Sequence, residues 1–399
     1  MQTLSNTIAQ PPQLHPPRRP GSAARQLPEG ARMRGNAGTL SAQARADMAA
    51  CRAALREGSY TFYAASLILP RSVREPASAL YAFCRMADDE VDNGTDKHAA
   101  VARLHALLDD TYSGRPRASA ADRALAAVVA HFKLPRTLLD ALLQGFEWDA
   151  EGRRYETLED LQDYAARVAG TVGAMMAVLM GVRTSEGLAR ACDLGVAMQL
   201  SNIARDVGED ARMGRLYLPQ QWMREAGLDP QAWLARPVFN TQLASVVQRV
   251  LDAADVLYRR VDAGVAQLPL ACRPGINAAR YLYAAIGHEV ARRGLDSVTQ
   301  RAVVPRPRKL ALLLRALINL APPAAAQAAP CLHANRFLVD AAALQSLPSV
   351  PASAATPADG PTPWWRIGQR LEDRVVWVIA LFERLERREQ VARTAGSSV

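Results

Sequence analysis

Apolar residues recur three and four positions apart almost without interruption from about Ser41 to Arg301, and no other feature limits the fold so strongly. That spacing lays one apolar stripe along a helix, whereas a half-buried strand needs strict alternation. Period-two runs of Val, Ile and Thr are missing from this stretch, and Ala is abundant. The expected fold class is all-α. Turn chemistry divides the pattern at Gly58-Ser59, Pro70, Asn93-Gly94, Ser113-Gly114, Pro135, Gly181, Leu218-Pro219, Asp229-Pro230 and between Pro269 and Pro274. These breaks predict roughly ten helices of 12–25 residues.

The 399 residues are 49% apolar and 22% charged, a globular composition. The net charge of +9 first suggests a nucleic-acid partner, but residues 1–46 hold six Arg and one Glu, and so carry +5 of it. No nucleic-acid partner is expected from so lopsided a distribution. Residues 1–46 are Pro-rich and basic and read as a disordered tail. Residues 47–320 form the expected catalytic domain. Residues 321–363 read as an Ala/Pro-rich linker, and 364–399 as a C-terminal amphipathic helix and tail. Five scattered cysteines form neither a disulfide framework nor a zinc spacing, which fits a reducing, cytoplasmic setting. There is no secretory h-region. The best apolar run, Leu310 to Leu320, contains Arg315 and is too short to span a bilayer, although it could lie on one.

Two acidic motifs interrupt the apolar helices. In Tyr81-Ala-Phe-Cys-Arg85-Met-Ala-Asp88-Asp89-Glu90-Val91-Asp92, Asp88 and Asp92 share a helix face with Arg85 and Tyr81. In Gln199-Leu-Ser-Asn202-Ile-Ala-Arg205-Asp206-Val-Gly-Glu209-Asp210, Asp206 and Asp210 repeat the spacing, with Asn202 and Gln199 on the same face. Two like charges about 6 Å apart repel by roughly 2–3 kcal/mol at an effective dielectric near 20. Repeating that on two largely apolar helices calls for positive charge between them. Mg²⁺ held by a few carboxylates, and gripping a diphosphate, meets that need. The plainer alternative is two solvated acidic helix faces. The glycine and ligand pattern of an EF-hand is missing, and so is a P-loop.

At these residues the sequence resembles the squalene/phytoene synthase family. The resemblance rests on five blocks in order: Ser59-Tyr-Thr-Phe-Tyr63 to Leu69-Pro70, Leu80 to Asp92, Tyr164 to Gly173, Gln199 to Asp210 with Gly214 to Pro219, and Tyr283 to Arg301. It implies an isoprenoid-synthase-type helical bundle with a central apolar cavity, and head-to-head condensation of two prenyl diphosphates. In the phytoene synthase branch, two geranylgeranyl diphosphates pass through prephytoene diphosphate to phytoene. The resemblance further implies two or three Mg²⁺ ions, with Mn²⁺ as a substitute, and no NADPH. Asp88, Asp92, Asp206, Asp210 and Asn202 are the expected metal ligands, with Asn202 also expected to bind substrate at the diphosphate. Asp89 points about 100° away and ranks lower. Arg85 and Tyr81 are expected at the diphosphate, Tyr81 either binding phosphate or steering proton loss.

Tyr164 matches a family tyrosine near the reacting carbons, with a buried structural tyrosine as the alternative. Arg205, Gln199, Tyr217, Tyr283, Arg301 and Arg74 are carried over as substrate-binding residues. For Arg205 a neighbouring carboxylate, and for Arg74 a surface position, stand as alternatives. Gly170 and Gly173 serve either close packing or room for a chain. The run Val172, Met175, Met176, Leu179, Met180 is either cavity lining or core. Ala204 departs from the family's usual Leu. Rival readings are a squalene or dehydrosqualene synthase using farnesyl diphosphate, a terpene cyclase or head-to-tail elongase, and a non-catalytic scaffold. So apolar a product predicts peripheral membrane association through the basic tail or the Arg-rich last helix. A downstream phytoene desaturase is a candidate partner by the same resemblance.

Overall fold

A computed structural model describes residues 37–58, 60–94, 96–117, 119–318 and 329–343. Among them the chain forms fifteen α-helices and no strand. The turn chemistry accounts for most of the boundaries. Pro70 precedes α3 (Arg71–Asn93) and Pro135 precedes α6 (Arg136–Ala150). Proline fixes φ for helix entry and lacks an N–H that the first turn could not use. Thr184 caps α9 (Ser185–Arg212) by accepting from the Gly187 amide, and Asn240 caps α12 (Thr241–Gln267) through the Leu243 amide.

Helix α9 is the spine. Its 28 residues span about 42 Å. It packs on α12, on α8 (Thr171–Leu179) and on α13 (Arg273–Arg292). Two glycines explain how closely. A Cβ on Gly173 would lie 2.1 Å from the Ala191 carbonyl oxygen, and one on Gly195 would lie 2.1 Å from that of Ala169. Close packing therefore accounts for Gly173. Between α7 (Leu158–Ala165) and α8, residues Ala166–Gly170 form a π-helical turn. Its wider spacing turns Val168 and Ala169 toward the interior cavity.

Two boundaries differ from expectation. Helix α1 (Ala37–Gly58) begins inside the stretch read as tail, and its Met48, Cys51 and Leu55 are buried. Asp47 anchors it by a two-pronged contact with Arg123, at 2.6 and 2.9 Å. The stretch read as linker contains a 3₁₀ turn (His333–Asn335) and α15 (Arg336–Ala343), which pack on α9, α6 and α8. Leu338, Val339 and Ala342 are buried there. A two-turn helix between Pro-rich flanks is too short for its periodicity to stand out. Residues 1–36 and 344–399, including the expected C-terminal helix, lie outside the described residues.

Candidate active site

A cavity of about 460 Å³ runs beside α9. On α9 its walls reach from Gly187 to Asn202, about 22 Å along the helix axis. Leu80, Leu142, Phe146, Val172, Met176 and Met198 make it largely apolar. Val172, Met176 and Met180 face it at successive helical turns, while Met175 and Leu179 point into the core. The methionine run thus serves both purposes, one on each face.

Most of the polar side chains gather at one end, while Arg190, toward the other end of the α9 wall, and Ser66 also line the cavity. Tyr81, Arg85 and Asp88 come from α3, Gln199 and Asn202 from α9, and Tyr283 from α13. Arg85 holds Asp88 at 3.2 Å and Asp89 at 2.7 Å. Asp89 does not line the cavity, as its direction on the helix implied; it faces a separate groove beside α1. Burial pushes the Tyr81 hydroxyl up to about 12, so it stays protonated. Cys84 also lines the wall, and burial raises its thiol to about 12. Asp92 lies in the last turn of α3, but its side chain is outside the described residues.

One and two turns beyond Asn202 lie Asp206 and Asp210. Arg205 and Arg301 both grip Asp206, Arg301 through Nε at 2.9 Å and Nη2 at 3.3 Å, and Arg205 through Nε at 2.7 Å. Arg205 thus pairs with the neighbouring carboxylate. Asp210 is pushed up to about 7, first by burial and then by Asp206. The Asn202 Oδ1 is buried and has no hydrogen-bond partner among the described residues. No three His, Cys, Asp or Glu side chains among the described residues converge on one point. The unpartnered Asn202 amide oxygen and the Asp210 carboxylate, raised first by burial, are oxygen donors of the kind a hard divalent cation takes.

Seven expected residues with described side chains do not line the cavity: Arg205, Asp206, Asp210 and Arg301, which lie beyond Asn202, and Arg74, Tyr164 and Tyr217. Arg74 lies near Glu75, which is buried under Arg52 and Arg71 as well. Tyr164 and Tyr217 stand behind the wall, where both hydroxyls donate to Asp149, at 2.8 and 2.7 Å. Their rings stack at 5.1 Å, and Tyr155 packs 5.1 Å from Tyr164. Burial and Asp149 hold the Tyr164 hydroxyl well above its ordinary value. Asp149 escaped the sequence reading. Its one signal is a carboxylate in the last turn of α6, where the helix dipole disfavours negative charge.

The helical fold and a largely apolar cavity with most of its polar groups at one end define an isoprenoid-synthase type of protein. The squalene/phytoene synthase family model matches residues 55–308, and the chain belongs to that family. It is 55% identical to a phytoene synthase of Rhodobacter capsulatus over 312 residues, covering 76% of this chain and 92% of that protein. A phytoene synthase of Cereibacter sphaeroides is 57% identical over 280 residues, 68% of this chain and 79% of that one. Among solved structures, a dehydrosqualene synthase bound to a ligand superposes with a TM-score of 0.64 at 31% identity, over 70% of this chain and 98% of its own. A squalene synthase of Alicyclobacillus acidocaldarius gives 0.59 at 26% identity, over 63% and 96%.

Proposed function

We propose that this protein is a phytoene synthase, condensing two geranylgeranyl diphosphates head to head to phytoene, the first committed step of carotenoid biosynthesis. One diphosphate ionises to an allylic cation and pyrophosphate. The double bond of the second molecule attacks to give prephytoene diphosphate, and a second ionisation, rearrangement and proton loss complete the product. The observation that carries this reading is the division of the cavity. Tyr81, Arg85, Asp88, Gln199, Asn202 and Tyr283 occupy one end, and the walls beyond are hydrocarbon apart from Arg190 and Ser66, over a length suited to a long prenyl chain.

Each residue has a physical task. Arg85 presents a forked cation to diphosphate oxygens, and Tyr81, kept protonated by burial, donates to the leaving group. Gln199 and Tyr283 orient the diphosphate beside them. Arg205 and Arg301 hold Asp206 in place and turn toward phosphate when the site fills. Asp88, Asp92, Asp206, Asp210 and Asn202 would hold two or three Mg²⁺, with Mn²⁺ as a substitute. Bound there, the ions supply positive charge for the departing pyrophosphate. The apolar walls exclude water from cationic intermediates. Tyr164 and Tyr217 support the wall from behind through Asp149.

The test is a product assay with purified protein, Mg²⁺, and geranylgeranyl or farnesyl diphosphate, with and without NADPH. Phytoene from the C20 substrate without reductant, lost on chelation and restored by Mg²⁺, is the expected result. Squalene or dehydrosqualene from the C15 substrate alone would favour the second reading, which the two solved relatives support. No product from either substrate would favour a non-catalytic scaffold.

A further inference from the structure

We propose that the outward face of α14 (Arg306–Ile318) is the surface by which the protein lies on an anionic lipid bilayer. This helix is apolar on both sides. Its inner face packs Leu313 and Ala316 against Leu67, Ile68, Ala278 and Leu282. Its outer face presents Leu310, Leu314 and Ile318 at successive turns, 40%, 45% and 82% exposed. An exposed apolar row on a helix whose other face is already packed calls for an apolar partner.

Charge selects the partner. Arg306, Arg308, Lys309 and Arg315 are the only charged residues of α14, and no carboxylate side chain occurs between Asp296 and Asp340. Arg315 is exposed beside the leucine stripe, and Arg308, 3.8 Å from Glu289, is partly exposed, while Arg306 and Lys309 are partly buried. An exposed cation beside apolar side chains suits anionic headgroups around an acyl layer. A second copy of the chain fits poorly. The face measures about 20 Å by 10 Å, some 200 Å², against roughly 800 Å² per partner in a stable dimer.

Position supplies the use. Ala65 and Ala279 belong to the cluster under α14 and also line the cavity. One helix layer therefore separates the bilayer contact from the prenyl site. Arg301, just before α14, holds Asp206 at the polar end. The surface serves the prenyltransferase reading, but binding to lipid is measured without turnover, so either claim can fail alone.

The experiment is flotation of the purified full chain with phosphatidylcholine vesicles and with vesicles that also contain phosphatidylglycerol. Wild type should float with the anionic vesicles and be partly released by salt. The double variant Leu310→Glu/Leu314→Glu should bind about tenfold more weakly while keeping its helical circular dichroism and its detergent-micelle activity. Leu314→Trp should bind at least as well as wild type, with fluorescence quenched by brominated lipid. Undiminished flotation of the double variant, or an unquenched tryptophan, overturns the proposal. So does loss of flotation only when the arginines of residues 364–393 are replaced, or a dimer that the double variant dissociates without altering lipid binding.

Discussion

The two ends of α9 both bury charge, and they handle it in opposite ways. Near its start, Arg190 and Asp193 are 1% and 0% exposed and lie 3.1 Å apart. Arg260 reaches Asp193 at 3.2 Å, the Asn335 amide donates to it at 3.0 Å, and Arg190 donates to the Pro330 carbonyl at 3.3 Å. Near its end, Asp210 has a carboxylate neighbour and is driven up to about 7. Burial raises both acids; Arg190 and Arg260 partly offset it at Asp193, and Arg215 partly offsets it at Asp210. The first group ties residues 330–335 to α9 through paired charges. The second spends Arg205 and Arg301 on Asp206 and leaves Asp210 beside a carboxylate.

Four substitutions break or sharpen that contrast. The largest effect is expected from Asp206→Asn, which removes a ligand charge and the anchor of Arg205 and Arg301. Product formation should fall by about a thousandfold with the fold intact. A variant above one tenth of wild-type activity would remove Asp206 from the site. Next, Asp193→Ala strands Arg190 and Arg260, and should cost about 3 kcal/mol in denaturant unfolding. A loss under about 1 kcal/mol would show that the latch is not structural.

Asp149→Asn can accept well from only one of its two tyrosines. It should lower stability by about 1–2 kcal/mol and turnover by about tenfold, with KM little changed. An unchanged turnover would detach the tyrosine pair from catalysis. The smallest effect concerns pH. The folded-state pKa of Asp210 lies above its ordinary 3.8, so the folded protein binds that proton more tightly than the unfolded chain does. In metal-free protein, stability should therefore fall as pH rises from about 4 to 7. Asp210→Asn removes this penalty and, allowing for solvent screening, should be about 1 kcal/mol more stable than wild type above pH 7. The difference should vanish below pH 4. Thermal melts across that range, without Mg²⁺, decide the matter.

Much of the site was legible because it is local. Asp88 with Arg85, and Asp206 with Asn202, are set by i, i+3 and i, i+4 spacing within one helix, which any α-helix imposes. The breaks at Pro70, Pro135 and Asp229-Pro230 were legible for the same reason, since proline and caps act on their own turn. Tyr164 and Tyr217 lie beside Asp149 and not on the cavity wall, a placement that a motif position cannot report because it says nothing about which way a helix is rotated in the bundle. Asp149 is 15 and 68 residues from its two partners, a pairing no local rule reports.

The sequence by itself determined an all-α chain, many of its helix breaks, and which carboxylates share a helix face; fifteen helices stand among the described residues where roughly ten were expected. Those properties follow from backbone geometry and side-chain period over a few residues. The tertiary structure decided which methionines face the cavity, that Tyr164 and Tyr217 share one carboxylate, and that residues 333–343 close over Asp193. Among the described residues it also left Leu310 and Leu314 on the outer face of α14 exposed. Each of these depends on contacts between distant segments, and only the packed bundle specifies them.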